Sequence, residues 1–187
     1  MQPDEKSLRR LPPGSHGIPA DVVARNQRER LIAAMAEACA ENGYAGASVA
    51  DVAKRAGVSS VTFYKQFADK RECLLAAHRQ LLGRLLEELD RAREEAGEPQ
   101  GGGAALHALL AVFAADPPSA RLLTVEILAA GPEGSKRHDA AASAFAERLG
   151  VDWVTAAGIL ALVGKHVMAG EADRLPELEE SLKRLVS

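Results

Sequence analysis

At 187 residues with a formal net charge of −3, the chain suits one mid-sized unit or a small head on a larger body, and its acidic balance excludes a blanket nucleic-acid binder. Apolar residues make up 47% and aromatics only 4%, the apolar load falling on Ala and Leu, so an all-α fold with a sizeable core is expected. No apolar run reaches the roughly 18 residues of a membrane span, the polar start is unlike a signal peptide, and Cys39 and Cys73, without CxxC spacing, read as reduced core thiols, which points to the cytoplasm.

The elements follow in chain order. Residues 1–25 form an expected flexible arm, interrupted by Pro3, Pro12, Pro13, Gly14, Gly17 and Pro19. A helix starts near Asn26, with Glu29 in capping-box register, buries Leu31, Ile32, Met35, Ala36, Ala38 and Cys39, and stops at Asn42-Gly43. A second starts at the N-cap Ser48, with Asp51 at its third position, turns Val49, Val52 and Ala53 inward and ends by Gly57. A third runs from Ser59 to about Lys65. A fourth runs from Asp69 to about Ala96, with Glu72 in capping-box register and an apolar stripe through Leu74, Leu75, Leu81, Leu82, Leu85, Leu86 and Leu89. At 1.5 Å per residue it spans about 42 Å, long enough to join two parts of a molecule rigidly. After a break at 97–103, five shorter helices are expected at 104–115, 118–130, 136–149, 152–169 and 176–186, about nine in all. The sequence has no repeats and no low-complexity tract.

Charge divides with this organisation. Residues 1–70 hold ten Lys/Arg against eight Asp/Glu, and residues 71–187 hold thirteen against eighteen. A mildly basic head on an acidic body fits a protein that meets phosphate at one end. The stretch from Ser48 to Lys70 carries the most information. Two short helices flank Gly57-Val58-Ser59. Gly57 suits a turn with unusual backbone angles, Ala53 allows a close crossing, and Val52, Val58 and Phe63 can bury between the helices. This is helix-turn-helix patterning, whose second helix enters the major groove.

Here the sequence resembles the TetR family. The resemblance rests on Gly43-Tyr44, Ser48-Val49, Asp51-Val52-Ala53, Ala56-Gly57-Val58-Ser59, Thr62-Phe63-Tyr64, Phe67 and Asp69-Lys70, and covers about residues 26–75. It implies a three-helix DNA-binding domain at 26–70 and a helical effector-binding and dimerisation domain at 71–187. It implies that Ser48 approaches a phosphate, that Ser59, Ser60, Val61 and Thr62 face the groove, that Tyr64 donates its hydroxyl to a phosphate, and that Lys70 meets the DNA backbone. Lys65, also in the DNA-binding set, stands where the family usually has an aromatic residue. Ala47 stands where a hydroxyl residue is common, and Gln66 replaces a frequent His. Ser60, Val61 and Thr62 include no Arg or Asn, so direct base readout is modest, with Val61 suited to a thymine methyl. Arg9 and Arg10 in the arm are candidates for minor-groove contacts, and a solvated tail explains them equally well.

The implied function is a ligand-responsive regulator, a repressor by preference, that binds palindromic double-stranded operator DNA as a homodimer and is released by a small molecule. Pairing has support from the residues: Ala157, Ala161, Gly164 and Met168 make a small-residue stripe in 152–169, and Leu175, Leu178, Leu182 and Leu185 repeat like a short coiled-coil seam in and beside 176–186. Packing of both stripes within one chain is the alternative. Glu126, among apolar neighbours, needs a partner. It faces either a ligand cavity or a nearby Arg or Lys. Leu109, Phe113, Phe145 and Trp153 are candidates to line an effector pocket, a pattern core packing explains as well. His78, His107 and His166 lack metal-ligand spacing. With no nucleophile elbow, phosphate loop or metal cluster, no catalytic residue, metal or cofactor is expected. The competing reading is a helical interaction module that has lost specific DNA binding.

Overall fold

The computed structural model describes residues 19–97 and 102–186. Most of the expected arm, with Arg9 and Arg10, lies outside the described residues. Those described contain nine α-helices and no strand: α1 (Ala20–Gly46), α2 (Val49–Arg55), α3 (Ser60–Gln66), α4 (Lys70–Glu95), α5 (Gly103–Ala115), α6 (Pro117–Thr124), α7 (Pro132–Leu149), α8 (Trp153–Met168) and α9 (Glu179–Lys183). Two tighter 3-10 segments, Glu126–Ala130 and Ala172–Leu178, precede α7 and α9. No single helix among the described residues is long and apolar enough to cross a membrane.

Besides α7, which begins at Pro132 rather than at 136 because proline is tolerated in the first turn of a helix, the boundaries depart from expectation in three places, each for a local reason. First, α1 begins at Ala20 rather than Asn26. The Pro19 carbonyl accepts the amides of Val22 and Val23 at 3.0 and 3.2 Å, and no Gly or Pro breaks residues 20–25. Asn26 is therefore an interior residue of α1 and not its N-cap. Second, the helix expected at 118–130 divides, because Val125 leaves helical geometry (φ −122°, ψ −60°) and the chain tightens into the 3-10 segment. Third, the helix expected at 176–186 shrinks to five residues. Pro176 sits inside the 3-10 segment before it, where it removes an amide donor from the ladder. Gly43 breaks α1 where expected: its φ of 67° and ψ of 163° are non-helical, in the left-handed half of φ that glycine enters without strain.

Two hydrophobic cores result. The head packs Leu31, Met35, Val52, Phe63, Phe67 and Leu74. It takes in Cys73, Ala76 and Ala77 as well, so the boundary expected at residue 70 falls inside one packed unit. The body packs Leu85, Leu106, Leu109, Leu110, Phe113, Phe145, Leu149 and Leu160. Each such side chain contributes about 1.5–3 kcal/mol when fully buried. α4, about 39 Å long at 1.5 Å per residue, enters both cores. So does α6: Leu122 belongs to the head and Leu123 to the body.

The stripes expected to pair two chains are corrected in part. Leu175 is fully buried and Leu182 is 7% exposed, both in the body core, because this segment packs on α5. Leu185 remains exposed. Gly164 faces inward: a Cβ there would lie 3.1 Å from Val125 Cγ2, so its small size serves packing inside the chain. The outward strip of α8 instead runs through Val154, Gly158, Ala161, Lys165 and Met168.

His78 on α4 is buried, and its Nε2 has no hydrogen-bond partner among the described residues. Burial, with the like charges of Arg137 and His138, lowers its pKa from 6.5 to about 4. The unfolded chain therefore takes up a proton near pH 6.5 that the folded chain refuses. Stability from this group is complete above pH 6.5 and is lost as pH falls towards 4, at about 1.4 kcal/mol per pH unit. Comparing denaturant midpoints at pH 7.5 and 5 should show about 2 kcal/mol more loss in the parent than in His78→Leu. Equal losses would remove His78 as the cause.

Candidate nucleic-acid interface

α3 is built to present one face. Ser59 caps it, accepting the Thr62 amide at 3.1 Å, and its hydroxyl lies 3.1 Å from Thr62 Oγ1. Phe63 is fully buried and packs at 5.6 Å from the Phe67 ring. The far end is tied to α1: Arg28 Nη1 donates to the Gln66 carbonyl at 2.7 Å, and its guanidinium lies 4.2 Å over the Phe67 ring. Gln66 Nε2 in turn donates to the Ala24 carbonyl at 3.3 Å. With the inner face anchored, Ser60, Val61, Tyr64 and Lys65 are left exposed, Val61 at 67% and Tyr64 at 59%. Their i, i+1, i+4, i+5 spacing places them on one side of the helix. Thr62 is half-buried beside its cap.

The residues expected to meet phosphate are held differently from one another. Ser48 is exposed and forms a capping box with Asp51: its Oγ accepts the Asp51 amide at 3.1 Å, and the Asp51 carboxylate accepts the Ser48 amide at 3.2 Å. The Ser48 hydroxyl also donates to Asp51, which holds that carboxyl below its usual pKa. Lys70 is half-buried, and its ammonium donates to the carbonyls of Tyr44 and Ala47, each at 2.7 Å, while sitting 4.3 Å over the Tyr44 ring. Two of its three donors are thus spent on the α1–α2 loop. Sequence reasoning missed Arg28 and assigned Gln66 no structural part. The capping signal at Asn26 hid the first turns of α1 that both residues depend on.

The expected effector residues are dispersed. A cavity of about 270 Å³ lies between α4, α5 and α6, with Leu81, Leu85, Val112, Phe113 and Leu123 as its apolar wall and Arg84, Glu88, Asp116 and Ser119 at its polar edge. Phe113 lines it. Leu109 and Phe145 are instead buried in the body core, and Trp153 is 46% exposed, its indole N–H donating to the Asp139 carbonyl at 3.4 Å. Glu126 does not line this cavity. Its carboxylate accepts Arg121 Nε at 2.7 Å and the Tyr44 amide at 2.6 Å, the ion-pair alternative together with a tie to the head. Cys39 and Cys73 are buried free thiols, each pushed up to about 12 chiefly by burial, which keeps them unreactive. Among the described residues, no group of three or more His, Cys, Asp or Glu is placed to hold a metal ion.

Comparison with known proteins fits this geometry. Residues 31–77 match the family model described as bacterial regulatory proteins, tetR family. Over 81 residues the chain is 42% identical to the HTH-type transcriptional regulator BetI of Stenotrophomonas maltophilia (strain R551-3), a match spanning 43% of this chain and 41% of that relative's length. Among solved structures, a transcriptional regulator from Rhodococcus sp. Rha1 is 28% identical, with a TM-score of 0.61 over 85% of this chain and 93% of that one. FadR from Bacillus subtilis, solved in complex with stearoyl-CoA, has a TM-score of 0.68 over 84% of this chain and 96% of its own, and at 22% identity the likeness is one of fold. Residues 31–77 are thus a helix-turn-helix segment similar to those of the tetR family of bacterial regulatory proteins, set in a helical plan that most of the chain shares with solved regulators.

Proposed function

We propose that the chain is a ligand-responsive transcription regulator, a repressor, that binds a palindromic operator as a homodimer. The observation that carries this reading is the outward face of α3. A helix of seven residues with a buried Phe63 leaves Val61 and Tyr64 more than half exposed, an arrangement that burial within the chain does not explain. Tyr64 and Lys65 supply a hydroxyl and an ammonium to phosphates, which set register, while Ser60 and Val61 reach base edges.

The outward strip of α8 supports pairing, since Val154 and Met168 are 72% and 52% exposed and Gly158 and Ala161 between them let a second helix approach. Paired heads then sit one DNA turn apart, about 34–36 Å. The effector enters the cavity between α4, α5 and α6. Its apolar wall suits a molecule with an apolar body, and the stearoyl-CoA bound by the FadR neighbour makes fatty acyl compounds the first to screen. An effector releases DNA only by binding the non-binding state more tightly.

The test is selection of bound duplexes from a random pool. The reading expects an inverted repeat with half-site centres about 10 bp apart. Enrichment of no sequence would favour the module that has lost specific DNA binding.

A further inference from the structure

The body grips the C-terminal turn of α1. Breaking α1 at Gly43 leaves the Ala40 carbonyl and the Tyr44 amide without helical partners, the usual condition of a helix end. Both are satisfied from across the molecule. Arg121 Nη1 on α6 donates to the Ala40 carbonyl at 2.7 Å. Glu126, just beyond α6, accepts the Tyr44 amide at 2.6 Å and Arg121 Nε at 2.7 Å. Glu126 is 7% exposed. A Cβ at Gly43 would lie 3.8 Å from both Glu126 carboxylate oxygens and from Arg121 Nη2, so the pair lies directly over the break.

α6 also forms a wall of the cavity, through Ser119 and Leu123. At about 100° per residue, Arg121 lies roughly 200° around the helix from either of them. One eight-residue helix therefore has the cavity on one side and the end of α1 on the other. Leu122 in the head core and Leu123 in the body core fix it to both units. Close-packed interiors transmit a displacement rather than absorb it.

We infer that the Arg121–Glu126 pair is the joint through which an occupant of this cavity acts on the DNA-binding head, by a route through α6 and α1 rather than along α4. The inference rests on the reading of the cavity as an effector site. An occupant that pushes α6 away from α5 draws Arg121 from the Ala40 carbonyl and Glu126 from the Tyr44 amide. The loop from Tyr44 to Ala47, whose carbonyls Lys70 holds, then loosens. That loop leads straight into Ser48, the cap of α2, so the helix-turn-helix loses its fixed pose.

Hydrogen exchange tests this on the full chain without knowledge of the effector. Val112→Trp fills the cavity from α5. It should speed exchange of the 40–48 segment by about tenfold. Arg121→Gln with Glu126→Gln should do the same, and adding Val112→Trp to that double variant should add little. Parent-like exchange in Val112→Trp, or effects that multiply, would overturn the joint. Ser119→Trp fills the cavity from α6 and decides the matter if exchange across 105–113 shows that Val112→Trp has lost the body fold. In a parallel arm, both kinds of variant should weaken binding to a duplex selected by the parent. If no duplex can be selected, the operator reading fails while the exchange result still decides the joint.

Discussion

Replacing Arg121 with Ala should lower stability by about 3 kcal/mol, the lower end of the cost of breaking a buried pair. The Arg121 and Glu126 side chains are 21% and 8% exposed, so water relieves part of the loss but not most of it. What remains is a carboxylate in the interior whose guanidinium is gone, and an Ala40 carbonyl without its donor. Adding Glu126→Gln should recover part of the loss, because a neutral amide oxygen still accepts from Tyr44 and carries no unpaired charge. Urea midpoints of the three proteins measure this. A parent-like midpoint for Arg121→Ala would mean the pair holds nothing together.

Phe63→Ala should cost about 3–5 kcal/mol, the range for deleting a buried aromatic ring. Phe63 is fully buried between α1, α2 and the Phe67 ring, and it is the inner anchor of α3. Tyr64→Ala, one residue on, removes a ring that is 59% exposed and should change stability by only about 0.5 kcal/mol. The two variants separate folding from recognition: Phe63→Ala melts the head and abolishes DNA binding with it, whereas Tyr64→Ala keeps the fold and loses affinity. Thermal unfolding followed by circular dichroism reads the first effect. Equal destabilisation by both would contradict the orientation of α3.

Much of the head was legible because its signals are local. Ser48 and Ser59 cap α2 and α3, and Asp69 caps α4 by accepting the Glu72 amide at 2.7 Å. Glu72 reaches back, but to the Ala68 amide rather than that of Asp69, a detail that spacing alone does not set. The outward Val61, Tyr64 and Lys65 follow from the helical period once Phe63 is placed inside. What the sequence hid was tertiary. Arg28 and Gln66 find partners 38 and 42 residues away, and Glu126 meets Tyr44 across 82. Asn26 followed by Glu29 mimics a helix start, yet a preceding proline and six helix-compatible residues extend α1 past it. In the body, Leu and Ala recur on nearly every face, so the stripe through Leu175 and Leu182 reads equally well as an outer seam or as core. Packing on α5 settles it as core. The cavity likewise depends on how three helices diverge, and of the aromatic residues expected to line it only Phe113 does.

Under the proposed function, the exposed face of α3 reads DNA. This is tested most directly by titrating the parent, Tyr64→Phe and Lys65→Ala against the duplex selected from the random pool, in the presence of excess random DNA. The expected result is a competitor-resistant complex, with each substitution weakening it about tenfold, or ~1.4 kcal/mol, and with parent affinity falling steeply as salt is raised. A complex that forms with undiminished affinity in both variants would contradict it, because the DNA would then be held by some other surface.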